Sequence, residues 1–315
     1  MFDSIETTKS PSGAHLAIRS LEASGRPRGI FLIQHGLAEH SGRYGRFAAE
    51  LAALGFHVVA HDHRGHGATA APDAPPRRFA TKDGAACVVA DSAFVGLWAG
   101  ARFGPLPQVA FGHSMGGLVA ANLAARREHA LAGVAIWNSD LADDLRPAAG
   151  RILLKVERAL KGSDTASMAF RRATFDVWKR SVPDRRTDFD WLTHDPAVVD
   201  AYCADPLCGW TPTNSMAVDV LDLIRNACAP GALSAWPDQM PVHLLAGSAD
   251  PATRGGKALA AFHDRIRRAG CRNATFSIIE GARHEMLNET ASYRAPAMAG
   301  LRSWLDAIVD VEPGR

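Results

Sequence analysis

Three residues have the types and the order that nucleophilic acyl chemistry needs: Ser114, Asp250 and His284. A serine hydroxyl is a weak nucleophile near neutral pH. It needs a base that takes its proton and later returns it to the leaving group. Histidine suits that task because its unperturbed pKa is about 6.5. An acid behind it fixes the imidazole tautomer and stabilises the imidazolium. Ser114 is the centre of Gly112-His113-Ser114-Met115-Gly116, a G-x-S-x-G pattern. The apolar run Val109 to Phe111 precedes it and a small-residue helical stretch, Leu118 to Glu128, follows. This strand, turn and helix context gives the match its weight, since five residues rich in Gly and Ser also occur by chance. Gly112 and Gly116 leave room for a sharp turn against its neighbours. The N–H groups of Leu37, just after His35-Gly36, and of Met115, just after the serine, are the expected oxyanion hole. Plainer readings exist. Asp250 precedes Pro251 and suits a turn or a helix cap, and His284 is one of 13 histidines.

Such residues must be held by a scaffold, and the chain supplies the pattern of one. Ser4 to Lys9 and Ala14 to Leu21 read as a hairpin about Pro11-Ser12-Gly13. Gly29 to His35, Phe56 to Ala60, Pro107 to Phe111 and Leu131 to Trp137 are continuous apolar runs, the signature of strands buried on both faces. Helical patterns at Tyr44 to Leu54, Asp83 to Arg102 and Leu118 to Glu128 separate them. Strands at Pro241 to Ala246 and Ala274 to Ile279, with helices at Gly256 to Ala269 and Tyr293 to Val309, complete the alternation. Alternation of this kind implies a parallel sheet covered on both faces. Ser114, Asp250 and His284 each follow a strand, where functional groups gather in open sheets.

The alternation is interrupted from Ser139 to Trp236, where only helical patterns appear, chiefly Arg151 to Leu160 and Asn214 to Asn226. That is too long for a loop and predicts an inserted helical cap. The expected organisation is a core of residues 1–138 and 237–315 with a cap of residues 139–236. Trp178, Trp191, Trp210 and Trp236 lie in the cap, and packing and substrate contact explain them equally well.

Composition narrows the function. A net charge of +2 and 22% charged residues give no reason to expect nucleic acid as a partner. Five cysteines at irregular spacing fit free thiols in a reducing compartment better than disulfides or a metal site. The polar start, Met1 to Lys9, lacks the apolar core of a signal peptide. A soluble, cytoplasmic protein is the expectation, with its oligomeric state open. One rival site stands in His61-Asp62-His63-Arg64-Gly65-His66, which is similar to the H-x-H-x-D-H cluster of metallo-hydrolases. Gly65 occupies the place of that pattern's last Asp, so the expected roles are structural: Asp62 and Arg64 tie loops together, and Gly67 allows a close backbone approach.

Four motifs carry a family resemblance: HGLAEHSGRY from His35, DHRGHG from Asp62, GHSMGG from Gly112 and GARHEMLNE from Gly281. With Asp250 in GSADP, the chain resembles the monoacylglycerol lipase and lysophospholipase-like (serine aminopeptidase S33-type) branch of the α/β-hydrolases. DPLCGW, Asp205 to Trp210, resembles a cap motif of bacterial members. The resemblance implies an α/β-hydrolase fold with a mostly parallel eight-stranded sheet, helices on both faces and a helical cap. It implies Ser114 as nucleophile, Asp250 and His284 as its partners, and Leu37 and Met115 as oxyanion donors. The expected reaction is hydrolysis of lipid-like carboxylic esters through an acyl-enzyme, without metal or cofactor. Transient contact of the cap with a membrane or micelle surface is expected too. The alternatives are a small-ester or thioester carboxylesterase and a non-catalytic ligand-binding relative.

Overall fold

The computed structural model describes residues 2, 5–126, 130–142, 144–237 and 239–309. The first hairpin is β1 (Ile5–Lys9) and β2 (His15–Leu21). After it come β3 (Gly29–Gln34), α1 (Gly45–Ala53), β4 (Phe56–His61), α2 (Gly84–Phe103), β5 (Gln108–His113), α3 (Met115–Ala124) and β6 (Gly133–Trp137). Six helices then precede the next strand: α4 (Leu145–Lys161), α5 (Met168–Ala173), α6 (Phe175–Trp178), α7 (Pro196–Ala204), α8 (Asn214–Cys228) and α9 (Pro230–Ser234). The chain ends with β7 (Val242–Gly247), α10 (Lys257–Arg268), β8 (Ala274–Ile279) and α11 (Ala291–Val309).

The eight strands form one sheet in the order β1-β2-β4-β3-β5-β6-β7-β8. β1, β2 and β4 pair antiparallel, and every pair from β4 to β8 is parallel. The two-residue period of a strand sorts side chains onto opposite faces. On β3, Phe31 and Ile33 join α1 and α11 in one apolar cluster, whereas Ile30 and Leu32 face α2. Ala110, Val134, Ile136 and Leu244 pack under α3, α8 and α10 on that second face. The sheet is therefore buried on both sides, as the unbroken apolar runs require.

α2 is apolar and long enough to cross a membrane, but 56% of its most apolar window is buried, with Val88, Val95 and Ala99 in the core. The expected strands and core helices are all present. The helix after Ser114 starts at Met115 rather than Leu118, because Ser114 alone separates strand from helix. It ends at Ala124, with Ala125 as its cap, short of the expected Glu128; Arg127 and Glu128, like Ser4 of the first strand, lie outside the described residues. The segment between β6 and β7 is helical, and among the described residues its one β-bridge is Ala166 with Thr213.

Candidate active site

Leu37, Ser114, Asp250 and His284 all follow the carboxyl ends of parallel strands: β3, β5, β7 and β8. The turn at Ser114 is as tight as its sequence suggests. Ser114 has φ 55° and ψ −121°, a positive φ that costs a residue with a Cβ and persists only where its surroundings impose it. The restraints are visible. Ser114 N–H donates to Trp137 C=O at 3.0 Å, and Ser139 Oγ donates to Ser114 C=O at 2.7 Å. A Cβ on Gly112 would strike the Gly116 carbonyl, and one on Gly116 would strike the Gln34 carbonyl, so both positions admit only glycine. The serine is left partly exposed on the wall of an apolar cavity of about 130 Å³.

Asp250 is buried and saturated. Its Oδ1 accepts from Ala252 N–H at 2.9 Å and lies 2.9 Å from His284 Nδ1. Its Oδ2 accepts from Asn138 Nδ2 at 3.0 Å and Thr253 Oγ1 at 2.8 Å. Burial opposes the charge, but the adjoining His284 ring and these donors together hold the carboxyl below its ordinary pKa. An ionised carboxylate only accepts, so His284 Nδ1 carries the proton and Nε2 keeps its lone pair. That is the tautomer a general base needs. His284 lines the same cavity as Ser114. Among the described residues no hydrogen bond closes the serine–histidine step, a contact that in hydrolases often tightens only with substrate bound.

Leu37 and Met115 also line the cavity. Among the described residues no partner takes either N–H. Met115 is the first residue of α3, so its N–H adds the positive end of a helix to the donor. Unpartnered backbone donors beside a nucleophile can stabilise a developing oxyanion.

The cap supplies much of the cavity wall through Phe170, Phe175, Trp178, Trp191, Val220 and Ile224. The four cap tryptophans thus divide. Trp178 and Trp191 stand over His284 at 6.3 and 5.0 Å between ring centroids. Trp210 packs against His66, and Trp236 against Phe262.

Several residues at the site were not singled out from sequence. Asn138 and Thr253 fix the acid. Glu39 accepts from Gly36 N–H at 2.5 Å, Tyr44 Oη at 2.8 Å and Arg43 Nη1 at 2.6 Å. Arg43 also grips Glu285, at 2.5 and 2.7 Å. His113 spans from Glu39 to the His284 carbonyl, where Nε2–H donates at 3.1 Å. Burial pushes the His113 pKa down, but the Glu39 carboxylate outweighs it and the net shift is upward. The one available signal was the density of polar residues in HGLAEHSGRY and RHEMLNE, which does not say who pairs with whom.

The DHRGHG loop is structural, as its residues suggested. The Arg64 guanidinium is buried and holds Asp91 at 2.6 Å, Asp73 at 3.0 Å and the Ser12 carbonyl at 2.8 Å. Asp62 accepts from Ser41 N–H and Ala68 N–H, each at 2.8 Å, and a Cβ on Gly67 would strike its carboxylate. His61, His63 and His66 are buried with His35 as a cluster of rings.

Sheet order, strained serine turn and acid–histidine pair define an α/β-hydrolase. A model of the family described as Serine aminopeptidase, S33, matches residues 25–291. The monoacylglycerol lipase of Mycolicibacterium smegmatis is 31% identical over 58% of this chain and 56% of its own length. The monoglyceride lipase of Rattus norvegicus is 26% identical over 96% of this chain and 90% of its own. Among solved structures, a lipase in its open form is 27% identical with a TM-score of 0.82, covering 98% of this chain and 100% of its own. A thermostable carboxyl esterase from Bacillus coagulans, 22% identical, shares the fold with a TM-score of 0.88 over 98% of this chain and 99% of its own. The chain belongs to the Serine aminopeptidase, S33, family, among its carboxylic ester hydrolases of monoacylglycerol lipase and esterase type.

Proposed function

We propose that the protein hydrolyses carboxylic esters of apolar acyl chains, monoacylglycerols foremost, through an acyl-enzyme on Ser114. One observation carries the reading: Ser114 and His284 share the wall of an apolar cavity, with Asp250 directly behind the histidine. His284 Nε2 takes the Ser114 proton as Oγ attacks the ester carbonyl. Leu37 and Met115 N–H groups receive the oxyanion. His284 gives the proton to the departing alcohol, and a water activated by the same nitrogen then releases the acid. The named relatives that act on monoacylglycerols, and an apolar wall opposite the nucleophile, favour this substrate class. A dry cavity of about this volume holds a benzene-sized group, roughly six carbons.

A fluorophosphonate probe should label the protein once, at Ser114, and Ser114→Ala should remove the label. A folded wild-type protein that stays unlabelled overturns the catalytic reading. Across p-nitrophenyl esters of increasing chain length, activity should peak near hexanoate. An optimum at acetate removes the lipid preference and leaves a small-ester hydrolase.

The cap also carries a candidate membrane contact. α4 exposes Leu145, Ile152, Leu153, Val156 and Leu160 along one stripe, with Leu145 85% and Leu160 79% exposed. Arg146, Lys155, Arg158 and Lys161 lie on the same helix. An apolar stripe beside basic residues suits an anionic lipid surface. Binding to phosphatidylglycerol vesicles should fall severalfold in Ile152→Glu, and equal sedimentation of both proteins removes the proposal. Cys87, Cys203 and Cys208 are free thiols, which supports a reducing, cytoplasmic setting.

A further inference from the structure

The loop that carries the Leu37 N–H is held from several sides, and one of them is the cap. On the core side, His35 Nδ1–H donates to Gly36 C=O at 2.8 Å, and this carbonyl shares its peptide with the Leu37 N–H. Glu39 Oε1 accepts from Gly36 N–H at 2.5 Å. On the cap side, Ala38 C=O accepts twice: from Tyr202 Oη at 2.9 Å and from Gly209 N–H at 3.0 Å. Tyr202 lies on α7, and Gly209 lies in the DPLCGW turn that follows. The same turn reaches the loop once more, where His40 Nε2 meets Asp205 Oδ2 at 2.8 Å. His40 Nδ1 accepts from Gly42 N–H at 3.2 Å, so Nε2 carries the proton and donates to the carboxylate.

Ala38 needs such restraint. Its φ is +58°, in the left-handed region, where an L side chain is strained. A residue stays there only while its neighbours impose the conformation. The Tyr202 hydroxyl and the Gly209 N–H are the hydrogen bonds that grip its carbonyl, and both belong to the cap segment. The Tyr202 ring is buried, sits under the Arg43 guanidinium at 4.8 Å and lines the cavity together with Leu37.

We propose that Tyr202 is a positioning residue for the oxyanion hole: with Gly209 and the His40–Asp205 pair, it latches the cap onto Ala38 and so aims the Leu37 N–H. The cap is then part of the catalytic apparatus as well as a cover. An ester that fills the cavity presses on the same tyrosine ring that sets the oxyanion donor. This inference rests on the proposed Ser114 acyl-enzyme chemistry and deepens it.

Tyr202→Phe deletes only the hydroxyl, so the ring, the cavity wall and the cation contact stay. Loss of an entire oxyanion donor costs 10²–10³ in kcat, and a misaimed donor should cost about tenfold. With p-nitrophenyl butyrate, kcat should fall about tenfold while KM stays within about twofold. Affinity for an alkyl boronic acid, which forms a tetrahedral adduct on Ser114, should fall by the same factor. Affinity for a non-hydrolysable ether analogue should not change. Ala38→Gly, which removes the strain at φ +58°, should return most of the lost kcat when added to Tyr202→Phe. Wild-type kcat in Tyr202→Phe overturns the latch, as does equal weakening of both inhibitors or no recovery in the double variant. Absence of fluorophosphonate labelling in the wild type would instead overturn the ester-hydrolase chemistry on which the latch rests.

Discussion

Two buried polar clusters flank the loop from His35 to Tyr44, and they solve one problem in opposite ways. On one side Glu39, Arg43, Glu285 and His113 keep charge. Arg43 bridges both glutamates, and burial alone would push the Glu39 carboxyl up, but Arg43 and His113 hold it far below its ordinary pKa. On the other side His35, His61, His63 and His66 give charge up. Burial drives His61 and His66 down to about 3, and His63 well below its ordinary value. The depth is similar; the partners differ. A buried charge survives where opposite charge and N–H donors surround it, and otherwise the group goes neutral. His61 makes the point in the extreme, for neither of its ring nitrogens has a hydrogen-bond partner among the described residues.

The charged cluster should be the more fragile. Glu39→Gln leaves His113 and part of Arg43 without their counter-charge, and loss of one member of a buried pair costs about 3–5 kcal/mol. Because Arg43 keeps Glu285, the lower end is expected, read as the unfolding free energy in urea at pH 7. A loss under about 1 kcal/mol would mean that shape, not charge, holds this side together.

The neutral cluster should respond to acid instead. Between the folded value of about 3 and the ordinary 6.5, His61 and His66 bind protons in the unfolded chain but not in the native one. Their contribution to stability is therefore complete above pH 6.5 and is lost as pH falls toward 3. The urea midpoint should decline through that window. His61→Leu should flatten the decline while costing little at pH 7, because it removes an unpartnered polar group. An acid limb as steep as the wild type's would take His61 out of the account.

A third case sharpens the contrast at smaller amplitude. Asp219 has neither remedy in full: burial, reinforced by Asp222, raises its carboxyl to about 7. Its folded pKa exceeds the unfolded value, so its contribution is present below the ordinary carboxyl range and lost as pH rises through 7. Asp219→Asn should add stability of order 1 kcal/mol at pH 8, discounted for its partial exposure, and nothing near pH 3, below the ordinary carboxyl range. A gain at both pH values would point to packing rather than charge.

The core was readable because its physics is local. Strands buried on both faces must be unbroken apolar runs, so Gly29–Gln34 and Val242–Gly247 stand out in the sequence. A tight strand-to-helix turn demands glycines at fixed offsets, which points to Ser114. Asp250 and His284 could be placed because strand ends mark where chemistry collects. The cap was less readable. α5, α6, α7 and α9 span nine residues or fewer, too few turns to leave a helical period in the sequence. Asn138, Thr253 and Tyr202 act through hydrogen bonds to residues 112, 3 and 164 positions away. For the distant pairs nothing local encodes the match. The outward apolar face of α4 was unreadable for a different reason: apolar periodicity tells that a stripe exists, not whether protein covers it.

The wedge formed by His113 has a further meaning. It precedes Ser114 in the chain, touches the backbone of His284 and rests on the Glu39 carboxylate that also holds Gly36. Three loops from distant parts of the sequence are thereby braced as one frame. Mutation can remodel the wall supplied by Phe170, Trp178 and Ile224 without disturbing that frame. Under the proposed chemistry, substrate choice and bond cleavage are thus separately adjustable, except where the proposed Tyr202 latch joins them.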